Sequence, residues 1–241
     1  MQDKPTFHPL YGQVRSAILK RIAAGEWPPG TFLPSESVLA KEYGVSQGTL
    51  RKALNELTAE GVVVRYQGKG TAVSTFDADE HLYRFFQLVG ANGKHEYPAS
   101  RVLVARKENA SSHVAKALRL ERHMVVYHIE RIRIFGDKAA INEKMLLPCK
   151  SFPGIEAYGV HALPNTLYDF FQKKFQVTIR EVHEELTAAT ADQTDSGRLD
   201  VPVGYPLLVI RRVAMDLHGN PVELRFSRCV TADHVYRVQL R

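Results

Sequence analysis

Residues 44–73 read GVSQGTLRKALNELTAEGVVVRYQGKGTAV, and the architecture of the amino-terminal part of the chain turns on this stretch. Ser46 sits where a hydroxyl can cap a helix, Leu50, Ala53, Leu54 and Leu57 recur on one side at helical spacing, and Gly61 ends the pattern. Once that side is assigned to a core, Gln47, Gly48, Thr49, Arg51, Lys52 and Asn55 remain outside. Val62 to Arg65 and Thr71 to Val73 follow as two short strands about the bend Gln67-Gly68-Lys69-Gly70. Glycine inside a helix costs about 1 kcal/mol against alanine, so Gly48 marks a place where a partner approaches the backbone. First-turn amides and the helix dipole favour an anion there, and a phosphate fits.

Upstream, Leu10, Val14, Ile18 and Ile22 fall at steps of four, the stripe of an amphipathic helix closed by Gly25 and Pro28-Pro29-Gly30. Ser35 caps a second, short helix with Val38 and Leu39 turned inward and Gly44 as its left-handed stop. Three helices with a tight turn before the third, followed by a basic hairpin, form a winged helix-turn-helix over 1–75. This segment holds nine Lys or Arg against six Asp or Glu, half of the chain's net charge of +6.

With 241 residues, 44% hydrophobic and 24% charged, the chain has room for two folded domains. No run of about 18 apolar residues exists to span a bilayer, and MQDKPTFHPL lacks a signal-peptide pattern, so a cytoplasmic protein without membrane contact is expected. Cys149 and Cys229 have neither disulfide-scaffold nor zinc spacing and read as reduced, ordinary residues. Nothing in the sequence calls for a metal or cofactor.

From Pro9 to Val73 the chain, PLYGQVRSAILKRIAAGEWPPGTFLPSESVLAKEYGVSQGTLRKALNELTAEGVVVRYQGKGTAV, resembles the winged-helix domain of the GntR family of bacterial transcription regulators. The resemblance implies a third helix in the major groove, a wing on the minor groove or backbone, and a homodimer reading palindromic double-stranded operator DNA. Its contact positions fall on Ser35, Gln47, Thr49, Arg51, Gly68 and Gly70. The residue pattern adds Ser46, Gly48, Lys52 and Lys69. Many family members carry arginine where this chain has Gln47, and often at Ser37.

STFDADEH, with Asp77, Asp79 and Glu80, reads as a linker over 76–84. Beyond it, over 85–241, strand patterns at 98–107, 124–135, 138–147, 178–190, 206–217 and 221–230 predominate. Helices are expected at 110–118 after Asn109, at 166–175 after Asn165, and at 192–199, with hairpin bends at Gly136-Asp137 and Gly219-Asn220. The fold class is α+β, with a mixed, largely antiparallel sheet. LRLERHMVVYHIER (118–131) and LDVPVGYPLLVIRR (199–212) match at an offset of 81 as a weak internal duplication. Two halves meeting face to face would leave a ligand cleft.

On the strand 138–147 one face reads Ala139, Ile141, Glu143, Met145, Leu147, so a carboxylate that needs a partner interrupts an apolar row. Arg131 and Arg133 share a face with Ile129 and Phe135, which suits a bound carboxylate or phosphate. The alternative is that one of them merely pairs with Glu143. Arg211 interrupts a row of Leu207, Val209, Val213 and Met215 and reads as a structural pair. Asn165 and Thr166 open a helix whose free amides can also hold an anion.

The motifs ERIRI, NEKMLLP, NTLY and HGNPVELR resemble the UTRA effector-binding domain of the HutC-type branch, which shares its fold with chorismate lyase. That resemblance implies an effector site built from Arg131, Arg133, Glu143, Thr166, Tyr168 and Glu223. The function expected is a ligand-responsive regulator, a repressor, tuned by a small anionic metabolite. The alternative is a small-molecule enzyme on the chorismate-lyase-like fold, against which stand the missing Gly-x-Ser-x-Gly elbow, His-Glu-x-x-His helix and phosphate loop.

Overall fold

A computed structural model describes residues 9–75, 85–91, 98–121 and 124–238. It divides into two compact units, 1–75 and 76–241. The linker read over 76–84 lies outside the described residues.

In the first unit, α1 (Leu10–Ala23), α2 (Glu36–Glu42) and α3 (Gln47–Ala59) precede a hairpin of β1 (Val63–Tyr66) and β2 (Gly70–Val73). Val14, Ile18, Leu19 and Ile22 of α1 are buried, as are Leu50, Ala53, Leu54 and Leu57 of α3. That core fixes the rotation of α3 and hence its outward side. The Ser46 hydroxyl accepts from the Thr49 amide at 3.1 Å, and the Ser35 hydroxyl accepts from that of Val38. Val38, expected inward, is 54% exposed. Leu39 and Ala40 supply the buried face of α2 instead, because a seven-residue helix resting on one neighbour buries only a narrow stripe.

The second unit is built on a six-stranded antiparallel sheet in the order β4-β5-β6-β9-β8-β7. Its strands are β4 (Ala99–Asn109), β5 (Val125–Phe135), β6 (Lys138–Pro148), β7 (Ile179–Thr190), β8 (Pro206–Asp216) and β9 (Pro221–Cys229). Two short helices, α4 (Ser112–Ala117) and α6 (Gln193–Leu199), join β4 to β5 and β7 to β8. Each half is therefore strand, helix, hairpin, and the strand order is a palindrome about the β6–β9 seam. This architecture is the duplication made visible. The halves meet edge to edge along that seam, however, and not face to face, and form one continuous sheet.

α4 and α6 cover one surface, through Val114 and Leu118 against Val126, Leu146 and Leu224, and through Leu199 against Leu207. The opposite surface carries α5 (Leu167–Phe175) and a small ribbon of β3 (Leu88–Gly90) with β10 (His234–Tyr236). There Tyr127, Ile129, Met145 and Leu147 pack with Phe152, Phe170 and Phe171. Two local expectations change. β4 runs through Asn109, so Ser111 caps α4 by accepting from Val114. The β5–β6 register shifts beyond Arg133, where Ile134 faces Ala139; Ala139 consequently leaves the row of Ile141 and Glu143 and packs with Leu199 and Leu207.

Candidate functional site

Two surfaces carry the chemistry. On the first unit, Gln47, Gly48, Arg51, Lys52 and Asn55 are exposed along α3, and Gln67, Gly68, Lys69 and Gly70 at the hairpin tip. The third helix thus presents the polar residues that its sequence leaves over. Thr49 is half-buried, with its hydroxyl 2.9 Å from that of Ser46. The Lys52 ammonium lies 3.9 Å from the ring centroid of Tyr11, which holds that cation beside α1. A Cβ on Gly48 would meet nothing closer than the Ser46 hydroxyl at 3.8 Å, so the unit itself does not require glycine there. The tip differs: Gly68 and Gly70 have φ of +74° and +112°, conformations that side chains resist, so the backbone bend alone accounts for both.

The second surface is a charged band across the middle of the sheet, between two apolar clusters. Cross-strand pairing aligns Arg131 with Glu143, Glu143 with Ser227, Met145 with Arg225, Arg225 with Arg212, and Arg212 with Glu184. The Arg131 Nε donates to Glu143 at 2.6 Å, the pairing weighed as the alternative. The Ser227 hydroxyl adds 3.3 Å. Arg225 donates to Glu223 at 2.8 Å, Tyr168 donates to the same carboxylate at 2.9 Å, and Arg212 donates to Glu184 at 2.6 Å.

Arg133 is different. It is 3% exposed and, among the described residues, donates only to main-chain oxygens, those of Asn165 at 3.1 Å and Pro98 at 3.2 Å. Among the described residues its Nε finds no acceptor, nor does that of Arg225. Burial, then the neighbouring Arg131 guanidinium, lowers its affinity for its proton, although a guanidinium stays charged in a protein. Among the described residues, four buried cations, Arg131, Arg133, Arg212 and Arg225, face two buried carboxylates, Glu143 and Glu223, and the partly buried Glu184, leaving one positive charge to be met.

Of the six residues read for this site, Arg131, Arg133, Glu143, Tyr168 and Glu223 come together. Thr166 stands next to Asn165 at the start of α5, with its hydroxyl making no capping bond. Arg212, Arg225, Glu184 and Ser227 were missed. The signal for Arg212 was present, because the offset of 81 carries Arg131 onto it. Arg211 points to the opposite surface and donates to Glu185 at 2.9 Å. Phe86, Leu88 and Tyr236 roof a cavity of about 20 Å³ whose walls include Glu143, Arg212, Arg225 and Ser227, room for about one water.

Burial disfavours the Glu143 charge, yet Arg131, Arg225 and Arg133 together hold its carboxyl far below the usual range. A carboxyl lowered on folding contributes stability that is complete above its unfolded value, near 4.5, and is lost as pH falls toward the folded value. The sheet unit should therefore lose stability below about pH 4.5, with Asp195 and Glu130, also lowered, adding to the slope. In Glu143→Gln that slope should shrink by up to one proton; urea titrations between pH 3 and 6 would show it.

A winged helix-turn-helix joined to a separate sheet unit is the architecture of a DNA-binding transcription regulator. Residues 10–73 match the family model "Bacterial regulatory proteins, gntR family", and residues 93–234 match "UTRA domain". The chain belongs to the GntR family, in the HutC-type branch that carries a UTRA domain. It is 26% identical over 231 residues to a "Probable fructoselysine utilization operon transcriptional repressor" of Escherichia coli K12, covering 94% of this chain and 93% of that one. It is 28% identical over 230 residues to the HTH-type transcriptional regulator GgaR of the same strain, covering 95% and 90%. The ligand-binding domain of a GntR-family regulator from Bordetella bronchiseptica superposes with a TM-score of 0.62 at 28% identity, over 66% of this chain and 99% of that one. These relatives are regulators, and this chain is one too, not an enzyme. Among the described residues no helix is long and apolar enough to cross a membrane.

Proposed function

We propose that this regulator is a cytoplasmic repressor that binds a palindromic operator as a homodimer and releases or retunes it when a small anionic metabolite enters the sheet unit. The outward side of α3 reads the major groove through Gln47, Thr49 and Arg51, Gly48 lets a phosphate approach the first turn, and Lys69 follows the backbone from the wing. Ser35 and Ser46 cap their helices, and their exposed hydroxyls, 3.0 Å from that of Ser37 and 2.9 Å from that of Thr49, stand at the DNA-facing helix starts. Half-sites about 34 Å apart would place the two third helices in successive major grooves.

The observation that carries the effector half is Arg133, a buried cation with no carboxylate partner among the described residues. A buried charge is tolerated only when paired, and a carboxylate or phosphate on the ligand supplies the missing partner. Glu143, Glu223 and Tyr168 then meet the hydroxyl or amino groups of the same molecule, with Thr166 at the helix start. One relative is named for a fructoselysine utilization operon, and a sugar-derived metabolite would suit this polar band. The small cavity beneath Phe86, Leu88 and Tyr236 is lined by Glu143, Arg212, Arg225 and Ser227 and not by Arg133, so admission requires that roof to lift and the band to open as far as Arg133.

The test is a thermal-shift series on the full chain with orthophosphate, sugar phosphates, sugar acids and their neutral parents. Selective binding at 100 times Kd stabilises by about 2.7 kcal/mol. Anionic members should raise Tm and neutral parents should not; a flat series would reject the effector half of the reading.

A further inference from the structure

Glu36 begins α2 and is not one of the residues expected to touch DNA. Its carboxylate nevertheless joins the two basic side chains that border the reading face. The Arg51 Nε donates to Glu36 Oε2 at 3.0 Å, and an Arg65 terminal nitrogen donates to Oε1 at 3.1 Å. Arg51 comes from α3 and Arg65 from the first wing strand. One carboxylate therefore ties the helix and the wing to the start of α2.

The atoms used matter. Arg51 gives Glu36 its Nε, and among the described residues no acceptor is recorded for its two terminal nitrogens. Those nitrogens are the outer prong of the fork that can meet O6 and N7 of a guanine together. The side chain is 60% exposed, so without an anchor it would sample many rotamers and lose that freedom on binding. A carboxylate at the base of the fork limits the rotation beforehand. It also places a negative charge near the phosphates, which weakens attachment to any duplex regardless of sequence. Both effects act in one direction, toward discrimination and away from bulk affinity.

We propose that Glu36 is a positioning residue for base selection, orienting the Arg51 fork toward one guanine in each half-site. This inference rests on the assignment of α3 as the reading helix. A purely structural role predicts something else, because an exposed ion pair contributes little to stability. Loss of Glu36 should then leave recognition as it was.

The experiment uses the full chain and duplexes selected from a random-sequence library by the unsubstituted protein. Each base pair of the selected site is replaced in turn, and affinities are measured for the original protein, Arg51→Ala, Glu36→Gln and Glu36→Asp. Arg51→Ala should flatten the preference at one G·C pair per half-site. Glu36→Gln should reduce discrimination at that same pair, from about 10- to 100-fold to a few-fold, leave the other pairs unchanged, and keep or raise affinity for unrelated duplex. Glu36→Asp, which retains the charge, should restore part of the preference. Unchanged discrimination in Glu36→Gln, or a uniform loss at every position, overturns the proposal. An Arg51→Ala protein that keeps the full preference at every pair instead overturns the reading-helix assignment beneath it.

Discussion

Replacing Glu143 with alanine is expected to cost the sheet unit about 3–5 kcal/mol, the range for removing one partner of a buried ion pair. Glu143 is 3% exposed and accepts from Arg131 at 2.6 Å and from Ser227 at 3.3 Å, with Arg225 at 3.5 Å. Its loss would leave the buried Arg131 without a carboxylate and add to the positive excess that Arg133 already represents. Arg133→Met is the informative contrast. It removes the cation that no carboxylate balances, at the expense of two bonds to main-chain oxygens. Net stability should stay within about 1 kcal/mol, because the relieved burial of charge offsets the lost bonds. Stabilisation by anions should disappear. Urea denaturation of the three proteins with and without an anionic ligand checks both: a large loss in Arg133→Met, or a negligible one in Glu143→Ala, would contradict the charge assignment within the band.

Arg51→Ala should weaken binding to the selected operator by about 2–6 kcal/mol if each subunit of a dimer gives up one bidentate guanine contact of about 1–3 kcal/mol. That corresponds to a loss of at least about 30-fold. Arg51 is exposed and, among the described residues, pairs with the Glu36 carboxylate alone, so the fold should tolerate the change and the effect should be confined to DNA. Operator affinity of the original protein should also fall steeply with salt, as phosphate contacts release counterions. Measuring affinity across 50–300 mM salt for both proteins separates the two contributions. Equal affinities for the operator at every salt concentration would mean that the outward side of α3 does not read bases.

The first unit was legible because its signals are local. Ser35 and Ser46 cap the helices they precede, and the apolar stripe of α3 is buried at each expected position. Val38 misled because a short helix exposes residues that a longer one would cover. In the second unit the strands and both hairpin bends could be read from periodicity, and five of the six candidate ligand residues converge. What escaped was set by register across strands. Arg212 and Arg225 meet only because β8 and β9 pair at those positions, and periodicity within one strand does not reveal its neighbour. Arg211 beside Arg212 shows how little separates the two surfaces: one residue decides between solvent and the buried band. Ala139 failed for a related reason, since a single register shift turns the row away from its extrapolated side.

The β6–β9 seam also bears on how the chain acquires its shape. Each half can form its hairpin and helix from neighbouring segments, but the sheet closes only when β6 finds β9 across the intervening α5, β7, α6 and β8. Loop-closure entropy opposes that step, and such distant pairings slow folding relative to helical units with closer partners. The three-helix head should therefore reach its native form ahead of the sheet, so that a newly made chain is able to grip DNA before the part that would hold a metabolite has closed.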